Sequence, residues 1–174
     1  KMTNTMTQAE RRIFLIKYLL AEDEKYADIG IPHREAEQKK LLRSLFNLRM
    51  PKNADKDFIK VQDEYLKEEI RLKGITDFSS LKPVKESIYL WRGDITALRC
   101  DGIVNAANSE MLGCFVPCHG CIDNAIHTYA GIQLRLASYN QMKEQGHSEG
   151  IGGAKFTEAF NLPCKYILHT VGPT

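Results

Sequence analysis

The pattern of apolar and polar positions divides the chain into two parts. Residues 1 to about 80 are rich in Leu, Lys, Glu and Arg and contain few glycines. Residues 84–174 hold most of the glycines and alternate apolar runs with turn signals. We therefore expect a helical N-terminal extension over 1–80 and a second unit over 81–174.

Apolar residues of the first part recur at helical spacing. Thr7 and Glu10 have the spacing of a capping box, which marks the start of a helix. Pro32 lies where proline is tolerated, at the start of another. The pattern predicts three helices, over residues 8–22, 33–49 and 57–73. We interpret them as a packing extension without a catalytic constellation.

The second part predicts strands that alternate with helices. Strands are expected over residues 87–91, 102–108 and 165–170. A helix is expected over residues 123–130, with a continuation through Tyr139 left open. This order indicates an α/β unit with a mainly parallel sheet. Because ligands of such sheets bind beyond the carboxyl ends of the strands, the loops after Leu90 and Val104 are the candidate site.

Charge and hydropathy restrict the partners. The chain has 24 basic and 22 acidic residues and a net charge of +2, which does not indicate a nucleic-acid surface. A phosphate-bearing ligand would therefore need a shaped backbone loop. No apolar run approaches the roughly 20 residues that span a bilayer, and residues 1–10 show no signal-peptide pattern. We expect a cytoplasmic protein with neither nucleic-acid nor membrane partners.

One loop concentrates potential metal ligands. It contains Cys114, Cys118, His119 and Cys121, and thiolate and imidazole are preferred ligands of Zn²⁺. No second ligand pair follows, which favours three protein ligands and an open position, as in catalytic zinc sites. We prefer Cys114, His119 and Cys121, because adjacent Cys118 and His119 could not both bind one ion without strain. The alternative is a free-thiol loop, or a disulfide formed on oxidation.

Several polar residues near this loop have two interpretations. Asp123 either caps a helix or orients and deprotonates a water, and a helix start also favours phosphate. Asn105 and Asn108 either form a turn or bind ribose hydroxyls, and Asp94 is either a turn residue or an acceptor for an exocyclic amine. His127 and His169 are expected to be structural.

Together these pieces resemble the macrodomain family over residues 84–174. The matching segments are 91–96, 101–108, 123–127, 130–131 and 166–173. Most macrodomains have a run of glycines before the position of Asp123, where this chain has its Cys/His loop. The departure resembles the zinc-dependent macrodomains of bacteria and fungi, in which a cysteine, a histidine and a second cysteine hold the metal. Those residues match Cys114, His119 and Cys121, and such proteins also carry a helical N-terminal extension.

The resemblance implies a three-layer α/β/α fold that binds ADP-ribose. Asp94 would hold the adenine amino group near the Ile95 backbone, Asn108 would reach the ribose beside the scissile bond, and backbone amides from Cys121 to Asn124 would receive phosphate. The complete predicted ligand set is Asp94, Ile95, Asn105, Ala106, Asn108, Cys121, Ile122, Asp123 and Asn124. Macrodomains continue with further strands, helices and a second phosphate loop, so the resemblance implies a domain truncated on its C-terminal side after Thr174.

The implied activity is that of a zinc-dependent hydrolase of the ADP-ribosylglycohydrolase type. It would remove mono-ADP-ribose from modified protein side chains, with Asp123 and Asn108 as catalytic residues. Related bacterial enzymes suggest a lipoyl-carrier protein as one substrate. A different class is a module that binds ADP-ribose without cleaving it and holds a structural zinc. A third is an α/β scaffold with a redox thiol loop.

Overall fold

The computed structural model describes residues 6–173 of the chain, so Lys1–Thr5 and Thr174 lie outside the description. Within it the helices are α1 (Gln8–Ala21), α2 (Glu35–Leu48), α3 (Lys56–Lys73), α4 (Ile122–Ala130) and α5 (Ile132–Gln145). The strands are β1 (Thr76–Asp77), β2 (Pro83–Lys85), β3 (Ile88–Tyr89), β4 (Leu98–Arg99), β5 (Gly102–Ala107), β6 (Ala154–Glu158) and β7 (Tyr166–Val171).

The three predicted N-terminal helices are confirmed to within two residues at each end. The capping box of α1 forms as expected. The Thr7 hydroxyl accepts a hydrogen bond from the Glu10 amide at 3.2 Å, and the Glu10 carboxylate accepts one from the Thr7 amide at 2.7 Å. The apolar stripes of α1, α2 and α3 meet in one core, whose fully buried side chains include Leu15, Ile16 and Phe58.

The main sheet has the order β5–β7–β6. β5 pairs in parallel with β7, and β6 pairs antiparallel with β7. One face of the sheet is covered, because Ile103 and Ile167 pack against Ile126 of α4 and Leu134 of α5. The other face exposes apolar side chains, among them Val104, Phe156, Tyr166 and Leu168. The described residues thus supply two layers of an α/β/α arrangement.

Two local predictions for the second part need correction, and the continuation that was left open for the helix over 123–130 is absent. The strand expected over 87–91 is reduced to the two residues of β3, which pairs with β2. Its apolar side chains are exposed and do not pack in a core. The antiparallel strand β6 was not predicted, so the sheet is mixed rather than mainly parallel. The helix beginning near Asp123 does not continue unbroken to Tyr139. It ends at Ala130, since Gly131 adopts a φ of +99° and α5 begins anew at Ile132.

The two predicted parts share their packing. β1 pairs in parallel with β4 across the predicted boundary at residues 80/81. Ile70 of α3 belongs to the same core as Ile103 and Ile126, and Ile132 packs in the core of the N-terminal helices. The boundary itself stays a prediction. Across residues 6–173 no helix has the length and apolar character needed to cross a bilayer.

Candidate metal centre and ligand site

The loop between β5 and α4 brings the three predicted metal ligands together. The ligand atoms of Cys114, His119 and Cys121 lie within 4.8 Å of one another, and Cys114 Sγ is 3.7 Å from His119 Nδ1. Two ligands that each bind zinc at about 2.3 Å or less lie no more than about 4.6 Å apart. The three donors are therefore close to the separation that one ion requires. Both cysteines are half-buried and His119 is exposed.

Cys118 points away from this cluster. Its Sγ lies 3.3 Å from Ser44 Oγ and 3.4 Å from the Lys40 carbonyl oxygen, both on α2. Its backbone adopts a φ of +54°, and its amide donates to Asn47 Oδ1 at 2.9 Å. The geometry therefore separates the three preferred ligands from the fourth candidate, and metal binding itself stays a prediction.

The surroundings of Cys121 change the ionisation of its thiol. Partial burial raises the pKa of the Cys121 thiol, and the neighbouring Cys114 raises it further, against a lowering by the Asn124 amide. The Cys121 thiol thus resists ionisation on its own. A divalent ion would reverse that preference, because it stabilises the thiolates that bind it. The donor set therefore fits Zn²⁺.

The Arg135 side chain contacts the start of this loop. Its Nε donates to the Leu112 carbonyl at 2.7 Å, and its guanidinium lies over the Phe115 ring at 4.1 Å. Its Nη1 donates to three carbonyls at the end of α2, those of Phe46, Asn47 and Arg49. Burial lowers the pKa of Arg135 to about 10. Arg135 was not predicted as part of the site; it lies on α5 between Leu134 and Leu136.

The N-terminus of α4 follows directly after the last metal ligand. Cys121 is its N-cap residue, and the Asn124 amide donates to Cys121 Sγ at 3.3 Å. The amides of Ile122 and Asp123 occupy the first helical positions, which have no partner inside a helix. Of the four predicted phosphate-binding amides, those of Ile122 and Asp123 are thus oriented for an anion, and that of Asn124 donates to the Cys121 thiol.

Asp123 is directed into the protein. It is 5% exposed, and its Oδ1 accepts a hydrogen bond from Asn105 Nδ2 at 2.7 Å. His127 Nε2 lies 3.6 Å from the same oxygen. Burial raises the pKa of the Asp123 carboxyl, against a lowering by Asn105 and Arg135. In this conformation Asp123 holds Asn105 in place.

The two predicted asparagines differ in position. Asn105 is fully buried and also contacts His169 Nδ1 at 3.0 Å, so its side chain is not presented to a ligand, whereas the neighbouring Ala106 is exposed. Asn108 is exposed at the end of β5. Its Nδ2 donates to the Gly113 carbonyl at 3.1 Å, which places it directly beside the metal loop.

Asp94 forms the turn that one interpretation predicted, and its role as an acceptor for an exocyclic amine stays a prediction. Its Oδ1 accepts from the amide and hydroxyl of Thr96, which makes the turn that begins at Ile95. Its Oδ2 accepts from the Lys73 ammonium at 2.9 Å, and the same ammonium lies 3.2 Å from the Tyr129 ring centroid. A nitrogen donor therefore already occupies the oxygen predicted to receive an exocyclic amine.

Comparison with protein families and curated proteins gives related matches. The Macro domain family model matches residues 104–174. The chain is 60% identical over 172 residues to a protein of Treponema medium named "Protein-ADP-ribose hydrolase", covering 97% of this chain and 66% of that protein. It is 48% identical over 134 residues to a protein of the same name from Staphylococcus aureus strain MSSA476, covering 76% of this chain and 50% of that protein. The chain thus spans between half and two thirds of these relatives.

Solved structures agree with this assignment. A Trypanosoma brucei macrodomain matches with a TM-score of 0.51 and 26% identity over 83% of this chain and 61% of that one. The same macrodomain in complex with ADP matches with a TM-score of 0.51 and 28% identity over 77% of this chain and 60% of that one. Residues 104–174 therefore match the macro domain family, the fold is that of a macrodomain, and the chain as a whole is similar to proteins named as protein-ADP-ribose hydrolases.

Proposed function

We propose that this protein is a zinc-dependent protein-ADP-ribose hydrolase that removes mono-ADP-ribose from modified protein side chains. One observation carries the proposal. Two thiols and one imidazole converge within 4.8 Å immediately before the N-terminus of α4, in a chain 60% identical to a protein named for this activity. The family resemblance suggests a mono-ADP-ribosylated lipoyl-carrier protein as the substrate for the first assay.

Each part of the site has a separate task. Zn²⁺ held by Cys114, His119 and Cys121 would supply a Lewis acid and lower the pKa of a bound water. The amides of Ile122 and Asp123 would receive a phosphate of ADP-ribose, because the helix N-terminus favours negative charge.

The remaining ligand contacts are assigned to an exposed side chain and to an acceptor that can exchange its partner. Asn108, exposed beside the metal loop, would position the ribose next to the bond that is cleaved. Asp94 Oδ2 would exchange its contact with Lys73 for the adenine amino group. Asp123 is predicted to accept a proton during the reaction, and its present contact with Asn105 also gives it a positioning role.

The test is release of ADP-ribose from a mono-ADP-ribosylated lipoyl-carrier protein, with and without a chelator. We expect chelation to abolish the release of ADP-ribose and added Zn²⁺ to restore it. Cys121→Ala should abolish release, and added Zn²⁺ should not restore it. Cys118→Ala is the matched control, because it removes a thiol of the same loop that lies outside the cluster.

Two outcomes would contradict the proposal. Undiminished release from metal-free protein would remove the role of zinc. ADP-ribose binding without any release from modified protein would instead favour the alternative function, a module that recognises ADP-ribose and holds a structural metal.

A further inference from the structure

Helix α2 contacts the metal loop on both sides of His119. Arg43 Nη2 donates to the His119 carbonyl at 3.2 Å. Asn47 Oδ1 accepts from the Cys118 amide at 2.9 Å. The backbone of Cys118 and His119 is thus hydrogen-bonded to α2, a helix of the N-terminal extension.

A second connection runs from α2 to the loop through Asn124. Arg43 Nε and Nη2 both donate to Asn124 Oδ1, at 3.1 and 2.8 Å. Asn124 Nδ2 in turn donates to the Val116 carbonyl at 3.0 Å, and its amide donates to Cys121 Sγ. Arg43 therefore acts on two ligand positions, His119 directly and Cys121 through Asn124.

Burial makes these contacts costly to lose. Asn124 is fully buried and Asn47 is 1% exposed, so a missing partner would leave a polar group without water to replace it. Residues 113–121 contain no helix or strand of their own. Their conformation depends on contacts from outside, and a loop ordered beforehand loses less conformational entropy on binding a metal.

We infer that Arg43 and Asn47 are positioning residues of the metal centre and that α2 is the element that shapes it. This inference rests on the proposed zinc site. It assigns the N-terminal extension a function beyond packing, because groups that orient metal ligands contribute to metal affinity without touching the ion.

The experiment compares Arg43→Met with Lys40→Met in the full chain. Lys40 is an exposed cation one helical turn earlier on α2, so its loss matches the charge change. Zinc affinity is measured by competition with a chromophoric chelator, and the absorption spectrum of the Co²⁺ form reports the ligand geometry. We expect Arg43→Met to weaken zinc binding by about tenfold and to alter the Co²⁺ spectrum. Lys40→Met should change the affinity by less than about twofold.

Far-UV circular dichroism of the metal-free proteins checks that Arg43→Met folds. If it does not, Arg43→Lys decides, because lysine keeps the charge but cannot donate to Asn124 and His119 with the same two-pronged geometry. Reduced affinity in that variant supports the inference. Parent-like affinity and spectrum in the folded variant would overturn it while leaving the proposed function intact. A parent protein that binds no zinc would overturn both.

Discussion

The side chains of His127 and His169 lie in a polar part of the core, with their ring centroids 5.9 Å apart. His169 is fully buried, with Nδ1 3.0 Å from Asn105 Nδ2 and Nε2 2.9 Å from Thr157 Oγ1. This confirms the prediction of a satisfied core histidine. His127 is 5% exposed, and neither of its ring nitrogens has a hydrogen-bond partner among the described residues. Burial lowers the pKa of His169 to about 4 and holds that of His127 well below its usual range.

These histidines make stability depend on pH. An unfolded histidine takes up a proton near its ordinary pKa of 6.5, whereas folded His169 does so only near 4. The unfolded state thus gains protons first as the pH falls, and the stability is lost between these values. For His169 alone we expect the free energy of unfolding to drop by about 2 kcal/mol from about pH 7 to about pH 5. Denaturant unfolding of the metal-free protein measures it.

A glutamine variant isolates the contribution of His169. His169→Gln cannot take up a proton in this range, so its stability should decline less over the same interval. Asp123 works in the opposite direction, because its raised pKa lets the folded state bind a proton before the unfolded state does. Equal slopes for parent and variant would contradict this explanation.

Helices and strands were predicted correctly where the local sequence shows a clear hydrophobic periodicity. The helices α1 to α3 repeat an apolar face over several turns, which periodicity detects well. The break between α4 and α5 lies at Gly131, which has a positive φ. The contacts around this glycine are not visible in the local sequence, because a methyl group on it would lie 2.8 Å from Nε2 of the distant Gln62. Strand β6 escaped prediction because its exposed Phe156 and buried Thr157 invert the usual apolar pattern.

The metal loop depends on one glycine for its shape. Gly113 has a φ of +80°, and a methyl group on it would lie 2.7 Å from Cγ and Cδ2 of the buried His127 ring. We expect Gly113→Ala to lower the free energy of unfolding by about 2 kcal/mol, because both the backbone and the ring would have to move. Chemical denaturation of the metal-free protein provides the measurement.

Gly120 in the same loop is the matched control. Its added methyl group would meet no atom within 4 Å, and its backbone does not adopt a positive φ. Gly120→Ala should therefore change the stability by less than about 0.5 kcal/mol. Equal losses in the two variants would show that the loop tolerates alanine equally at both positions and would refute the steric argument.

The candidate site as a whole was predictable only where its members are close in sequence. Cys114, His119 and Cys121 fall within eight residues, so their chemistry is visible in one short segment. Arg43 lies 76 residues before His119, and Asn47 lies 71 residues before Cys118. Contacts over such separations depend on how α2 packs against the second part of the chain. The periodicity of a single sequence does not contain that information.

The measurement that tests the proposed metal centre most directly is the zinc content of the reduced protein by native mass spectrometry. The parent and Cys118→Ala should each carry one Zn²⁺ per chain, and Cys121→Ala should carry none, because it removes one of the three converging donors. A metal-free parent, or a Cys121→Ala variant that retains its zinc, would contradict the account.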